Sequence, residues 1–138
     1  MELWDSCSDD RFDTLAPILF SDPLGVIYVY DISSLESFEA LPRWVEKLKQ
    51  SVGEDEPVAL VVGQKSDRVN SREVSKKQGE TFAKSLQADF IETSARLNHN
   101  VAACFTLMTR RIVVLESTGN EDAIERVSYL SNFRGGSI

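Results

Sequence analysis

Two short polar clusters follow apolar runs in this chain and could place chemistry at one spot. Gln64-Lys65-Ser66-Asp67 stop the run "PVALVVG" with an amide, a lysine and an acid, and Thr93-Ser94-Ala95-Arg96 follow "DFIE". Either cluster alone carries little: a K-S-D after a strand is usually only a loop, and "TSA" at a strand end is an ordinary turn into a helix. Other reactive residue types are isolated. His99 is the single histidine, in "LNHNV", with no Ser or Cys nucleophile obviously placed beside it, so it reads as a solvated loop residue. Cys7 lies among acids that raise a thiol's pKa, and Cys104 falls in an apolar stripe, so neither reads as reactive. Asp5, near the N-terminus, reads by itself as a solvated turn or helix-capping residue.

The elements that would hold the two clusters are legible from periodicity. Leu24 to Tyr30, "LGVIYVY", and Pro57 to Gly63 are short, continuously apolar and rich in β-branched residues, the pattern of strands buried on both faces. Ala88 to Ile91 is a third, shorter strand. Between the first two, Leu35, Phe38, Leu41, Val45 and Leu48 recur at helical spacing, with Pro42 expected to kink or delay the helix. Ser75 and Gln78 have capping-box spacing and start a helix that presents Phe82, Ala83 and Leu86 on one face. Asn100 is placed to cap a long helix whose Val101, Cys104, Phe105, Met108, Ile112 and Leu115 face the core. Trp44 lies off its helix's main stripe, with packing as the default reading. Strand and helix alternate three times, the order of a doubly wound α/β fold with a mainly parallel sheet flanked by helices. In such a fold ligands sit beyond the carboxyl ends of the strands, where residues 31–34, 63–67 and 92–96 all fall.

Composition bounds the rest. The 138 residues, 42% hydrophobic and 27% charged, suit one domain with a real core. A net charge of −7 disfavours nucleic acid and anionic lipid as partners. Two cysteines without paired spacing indicate no disulfide framework and fit a reduced, cytoplasmic setting. No apolar stretch approaches a bilayer span, and "NFRGGSI" carries no cysteine for a lipid anchor, so no direct membrane attachment is expected. Residues 119–138 read as a tail in which Ala123, Ile124, Val127 and Leu130 suit a short amphipathic helix.

Taken together, "LWDSCSDDRF", "VIYVYDISSLESF", "VVGQKSD", "REVS" and "ETSAR" resemble, in order and spacing, the Ras superfamily of small GTPases and within it the Rab branch. A loose likeness to flavodoxin-like or receiver-like domains is set aside on the same ordered segments. The resemblance implies GTP or GDP with magnesium as cofactor and makes residues 1–118 a truncated domain of that type. Asp67 matches the acid that accepts two hydrogen bonds from guanine, and Lys65 the lysine whose stem covers the base, with Arg96 able to cover the other side. Ser94 and Ala95 match the residues whose backbone N–H groups meet the guanine O6. Gln64 stands where the family has an asparagine that fastens this loop to the phosphate loop. Asp5 matches the acid that holds Mg²⁺ through water.

Departures accompany the matches. No G-x-x-x-x-G-K-[ST] run, the family's phosphate cradle, occurs in these residues. In the segment that matches the family's second switch, whose side is the switch face, Ser8 and Asp9 replace the glycine that meets the γ-phosphate and the glutamine that orients water. Base contacts alone, at about 1 kcal/mol net each, cannot make up for a lost phosphate grip. The expectation is therefore a Rab-like family member of intracellular transport that does not itself hydrolyse GTP and holds guanine weakly. The family's first strand is also missing, so residues 1–4 either fray or close up beside Leu24 to Tyr30. The second expectation is a pseudo-GTPase interaction module. A narrower likeness, to the Rab-like type of the intraflagellar transport machinery, implies a ciliary role. Either would dock a protein partner, an effector or a transport-complex subunit, through the switch face or the last helix.

Overall fold

The structure is a computed structural model that describes residues 23–52 and 57–117. Three strands, β1 (Gly25–Asp31), β2 (Val58–Gln64) and β3 (Asp89–Glu92), form a parallel sheet in the order β1-β2-β3. The open α/β architecture, with helices between strands, is the one expected. Register runs from Gly25 opposite Val58 to Asp31 opposite Gln64, and Gly63 stands opposite Glu92, so the carboxyl ends of all three strands finish level. This alignment puts the two polar clusters side by side.

Alternation along β2 divides the core. Val58, Leu60 and Val62 point to one face, where Cys104 and Met108 of the last described helix, α4 (Val101–Ser117), cover them. On the other face, Val61 joins Tyr28, Tyr30 and Ile32 beneath the helices that connect the strands. Each fully buried aliphatic side chain here, such as Leu60 or Ile32, stabilises the fold by about 2 kcal/mol through removal from water.

The connecting helices follow local signals. Ser34 caps α1 (Leu35–Glu39), its hydroxyl accepting from the Ser37 amide, and the helix ends at Ala40. A separate helix, α2 (Leu41–Ser51), then starts with Pro42 in its first turn, where a missing N–H costs nothing. The proline thus divides the expected helix in two. Leu41, Val45 and Leu48 of α2 are buried, while Trp44 is half-buried against the same core with the Lys47 ammonium 4.7 Å above its ring. Helix α3 (Lys76–Ser85) opens with the capping box of Ser75 and Gln78 and buries Ala83, with Phe82 and Leu86 packed alongside.

Two expectations about α4 are corrected. Leu115 is 57% exposed instead of facing the core. Gly25, the first residue of β1, already lies under Met108 and Ile112, so a turn further on the helix has no described strand beneath it. Asn100 precedes the helix and its carbonyl accepts from Cys104, but its side-chain amide donates to the Glu92 carbonyl and so ties down the end of β3. Expectations about residues 1–10, among them Trp4, Asp5, Cys7, Ser8 and Asp9, and about the tail helix fall outside the described residues. Among the described residues, no helix is long and apolar enough to cross a membrane.

Candidate functional site

Two loops at the carboxyl ends of β2 and β3 build the site. The first leaves β2 at Gln64 and turns at once, because Lys65 adopts a left-handed conformation with φ 60°. That conformation costs a non-glycine residue about 1 kcal/mol, so neighbouring contacts must hold it. The Arg68 amide donates to the Lys65 carbonyl at 2.8 Å and the Ser66 amide to the Thr93 carbonyl at 3.0 Å. The second loop closes on itself: Ser94 and His99 exchange both backbone hydrogen bonds, at 3.0 and 2.9 Å, with Asn98 left-handed between them.

One side-chain contact joins the loops. The Ser94 hydroxyl, fully buried, donates to Asp67 Oδ1 at 2.5 Å and accepts from the Leu97 amide at 3.2 Å. That hydroxyl lowers the pKa of the Asp67 carboxyl; burial opposes it, and the charges of Arg96 and Arg68 add to it. Asp67 is thus an ionised acceptor at neutral pH. Arg96 is largely in solvent, its Nη1 4.0 Å from Asp67 Oδ2, a loose partner compared with Ser94.

Beneath this rim, Arg72 forms a two-pronged pair with Glu92, at 2.7 and 3.0 Å, and its Nη1 also donates to the Val74 carbonyl. The pair ties the segment after the first loop to the end of β3.

Placed on these coordinates, Gln64, Lys65, Asp67, Ser94, Ala95 and Arg96 do gather at one pole, though not all with the expected availability. The Ser94 amide is engaged with His99, which leaves the Ala95 amide as the donor without a described partner. The Lys65 ammonium does not stand free in water: it meets Asp31 Oδ2 at 2.6 Å. The Gln64 side chain has no hydrogen-bond partner among the described residues, although its backbone carbonyl accepts from Ile32. His99 lies on the exposed outside of its loop, its ring beside the Asn100 amide. Sequence reasoning put residues 31–34 and 92–96 at the ligand-binding strand ends without giving Asp31 or Thr93 a role of its own, and it read Asn100 as a helix cap. The place of Asp31 beside Lys65 follows from the level strand ends.

Chemically, an ionised carboxylate with one oxygen open can accept from two adjacent N–H groups, as a guanine edge presents them and an adenine edge does not. The methylenes of Lys65 offer an apolar wall for a flat ring. The donor set fits a guanine base. No described group of three His, Cys, Asp or Glu side chains could hold a metal ion, and Asp5 lies outside the described residues.

Comparison with known proteins meets this geometry from another side. The Ras family sequence model matches residues 1–114. A Ras-related protein RabC from Dictyostelium discoideum is 36% identical over 112 residues, covering 81% of this chain and 57% of the relative. A Ras-related protein Rab-18 from Lymnaea stagnalis is 37% identical over 113 residues, covering 82% and 55%. The chain thus spans a little over half the length of these curated relatives. With the family matched over most of its residues, the chain belongs to the Ras family of small GTPases, in its Rab-like branch.

Proposed function

We propose that this chain carries the guanine-reading half of a Rab-like small GTPase of intracellular transport, and that these 138 residues do not themselves hydrolyse GTP. The family binds GTP and GDP with magnesium and works through protein effectors. One observation carries the reading for this chain: Asp67 is fixed by Ser94 at 2.5 Å, ionised, beside Lys65 and the open Ala95 amide. Asp67 accepts from the base edge, Lys65 covers one side of the ring, Ala95 donates to the base oxygen, and Arg96 covers the other side. Ser94 acts by orienting Asp67. Asp5 would hold Mg²⁺ only together with phosphate groups, for which these residues contain no glycine-rich cradle.

Nuclear magnetic resonance titration with guanosine, which has no phosphates, tests the base site directly. Amide shifts at residues 65–67 and 94–97 with guanosine, absent with adenosine and lost in Asp67→Ala, are expected. Equal response to both nucleosides would sink the reading. A fluorescent GTP analogue bound at about micromolar strength would overturn weak binding, because a few base contacts at about 1 kcal/mol each cannot reach it.

A second reading, a nucleotide-independent interaction module, is favoured by Gln64, whose amide meets no described residue, and by Ser8 and Asp9 at positions that serve the phosphates in the family. Under either reading the partner is a protein, an effector or a transport-complex subunit, met by the switch face or by α4, where Val114 and Leu115 are exposed; under the ciliary form it is a helical one. The narrower form, transport within cilia, rests on the spacing of "FSDPLGVIYVYDISSLESF". Co-purification of a defined helical partner without guanosine selectivity selects the second reading.

A further inference from the structure

Asp31 is the least expected member of the site. It ends β1, opposite Gln64 in the sheet, and the chain leaving Gln64 reverses at Lys65 with φ 60°. The lysine therefore reaches back across the strand end, and its ammonium meets Asp31 Oδ2 at 2.6 Å. The other carboxylate oxygen accepts from the Ser33 amide at 2.8 Å and the Ser33 hydroxyl at 2.7 Å, so the acid is itself held. Its backbone is held too, the Asp31 amide donating to the Ser37 hydroxyl at the start of α1. Of the two partners, Asp31 is the fixed one and Lys65, the more exposed, is the one that gains an address.

We propose that Asp31 is the positioning residue for Lys65. It pins the ammonium at the end of β1, so that the lysine's methylene stem stretches between two fixed points and presents a standing apolar wall to a planar base. An unpinned lysine stem must be ordered when the base arrives, which weakens binding by the entropy of that ordering. The claim rests on the base-reading function proposed above for Lys65 and adds the group that prepares it.

Asp31→Asn is the informative change, because the amide oxygen can still accept from Ser33 while the charge facing Lys65 is gone. In the full 138-residue chain, the Lys65 side-chain ammonium should give a distinct ¹⁵Nζ resonance with slowed hydrogen exchange. Asp31→Asn should lose it, with the amide spectrum of β2 and α4 unchanged. Guanosine affinity should fall about threefold, the scale of a partly exposed ion pair. Asp31→Glu should recover part of the loss, and Ser33→Ala, which touches only the other oxygen, should keep the Lys65 resonance. A Lys65 ammonium still held in Asp31→Asn overturns the proposal, and so does an unchanged guanosine affinity once that ammonium is released. If the unsubstituted chain ignores guanosine, the base-reading function itself fails, and the Lys65 resonance then decides alone whether Asp31 holds the lysine.

Discussion

The rim of the sheet and the core directly beneath it are built on opposite terms. At the rim the two loops are held by polar pairs: Asp67 with Ser94, Lys65 with Asp31, Ser94 and His99 with each other. One layer down, Tyr30 is buried to 1% exposure and its hydroxyl has no hydrogen-bond partner among the described residues. Burial, and next the nearby Glu92 charge, push that hydroxyl up to about 12, with Arg72 opposing, so it stays protonated. Two glycines make room for it: a Cβ on Gly63 would stand 2.9 Å from the Tyr30 oxygen, and one on Gly79 would collide with that oxygen and lie 2.5 Å from Phe90. The rim holds its shape by many replaceable hydrogen bonds, and the floor by fit alone. A change at the rim should therefore alter chemistry at small cost to stability, whereas a change in the floor should do the reverse.

Gly79→Ala gives the largest expected effect. Alanine suits a helix interior better than glycine by about 1 kcal/mol, but over-packing a filled core costs about 1 to 3 kcal/mol. Here the new methyl meets a ring edge as well as the tyrosine oxygen, and the helix backbone cannot yield without dragging α3 off the sheet. Sterics should win. We expect a net loss of up to about 2 kcal/mol in urea unfolding, with the amide shifts of residues 65–67 barely changed. A neutral result would show that the floor is as forgiving as the rim.

The same division explains what the sequence showed in advance. Strand positions came within a residue or so, because β-branched runs between turn residues are a local signal. The break at Pro42 and the capping box at Ser75 were equally local. Leu115 was misread because spacing tells which side of a helix is apolar and says nothing of where the sheet below it stops. The site residues gathered as expected, but their hydrogen bonds did not follow from type. The capture of the Ser94 amide by the His99 carbonyl depends on the four residues between them closing into a loop. The pairing of Lys65 with Asp31 spans two strands and needed the register.

Between rim and floor lies the Arg72–Glu92 pair, mostly shielded from water and linked to both. Glu92→Ala leaves the Arg72 guanidinium with the Val74 carbonyl as its remaining described partner, and should cost about 1 to 2 kcal/mol, between exposed and fully buried pairs. Its effect should also reach the rim, since the two loops meet through the end of β3. Thermal unfolding with amide shifts at Ser94 and Leu97 checks both parts. Tyr30→Phe moves in the opposite direction: removing a buried hydroxyl that lacks a partner should raise stability by up to about 1 kcal/mol. It should also relieve part of the Gly79→Ala loss, since one of the colliding atoms is gone, and a double-mutant cycle reads that coupling.

The smallest effect belongs to the rim and depends on pH. Burial would raise the Asp31 carboxyl, but hydrogen bonds from Lys65 and Ser33, with the lysine's charge, outweigh it and bring the pKa down to about 2 from an ordinary 3.8. A carboxyl depressed by folding binds its proton more readily when unfolded, so the stabilisation is complete above the ordinary value and disappears as pH falls toward the folded one. The loss should therefore fall between about pH 4 and pH 2. Asp31→Asn cannot titrate, so its stability should decline less steeply than the parent's across that window, and the two curves should differ most at neutral pH. Lys65 is partly open to solvent, which keeps the difference small and makes it shrink with added salt. Parallel slopes for the two proteins from pH 4 to pH 2 would mean that Asp31 gains nothing from Lys65 on folding, and the rim's tightest ion pair would then be geometry without energy.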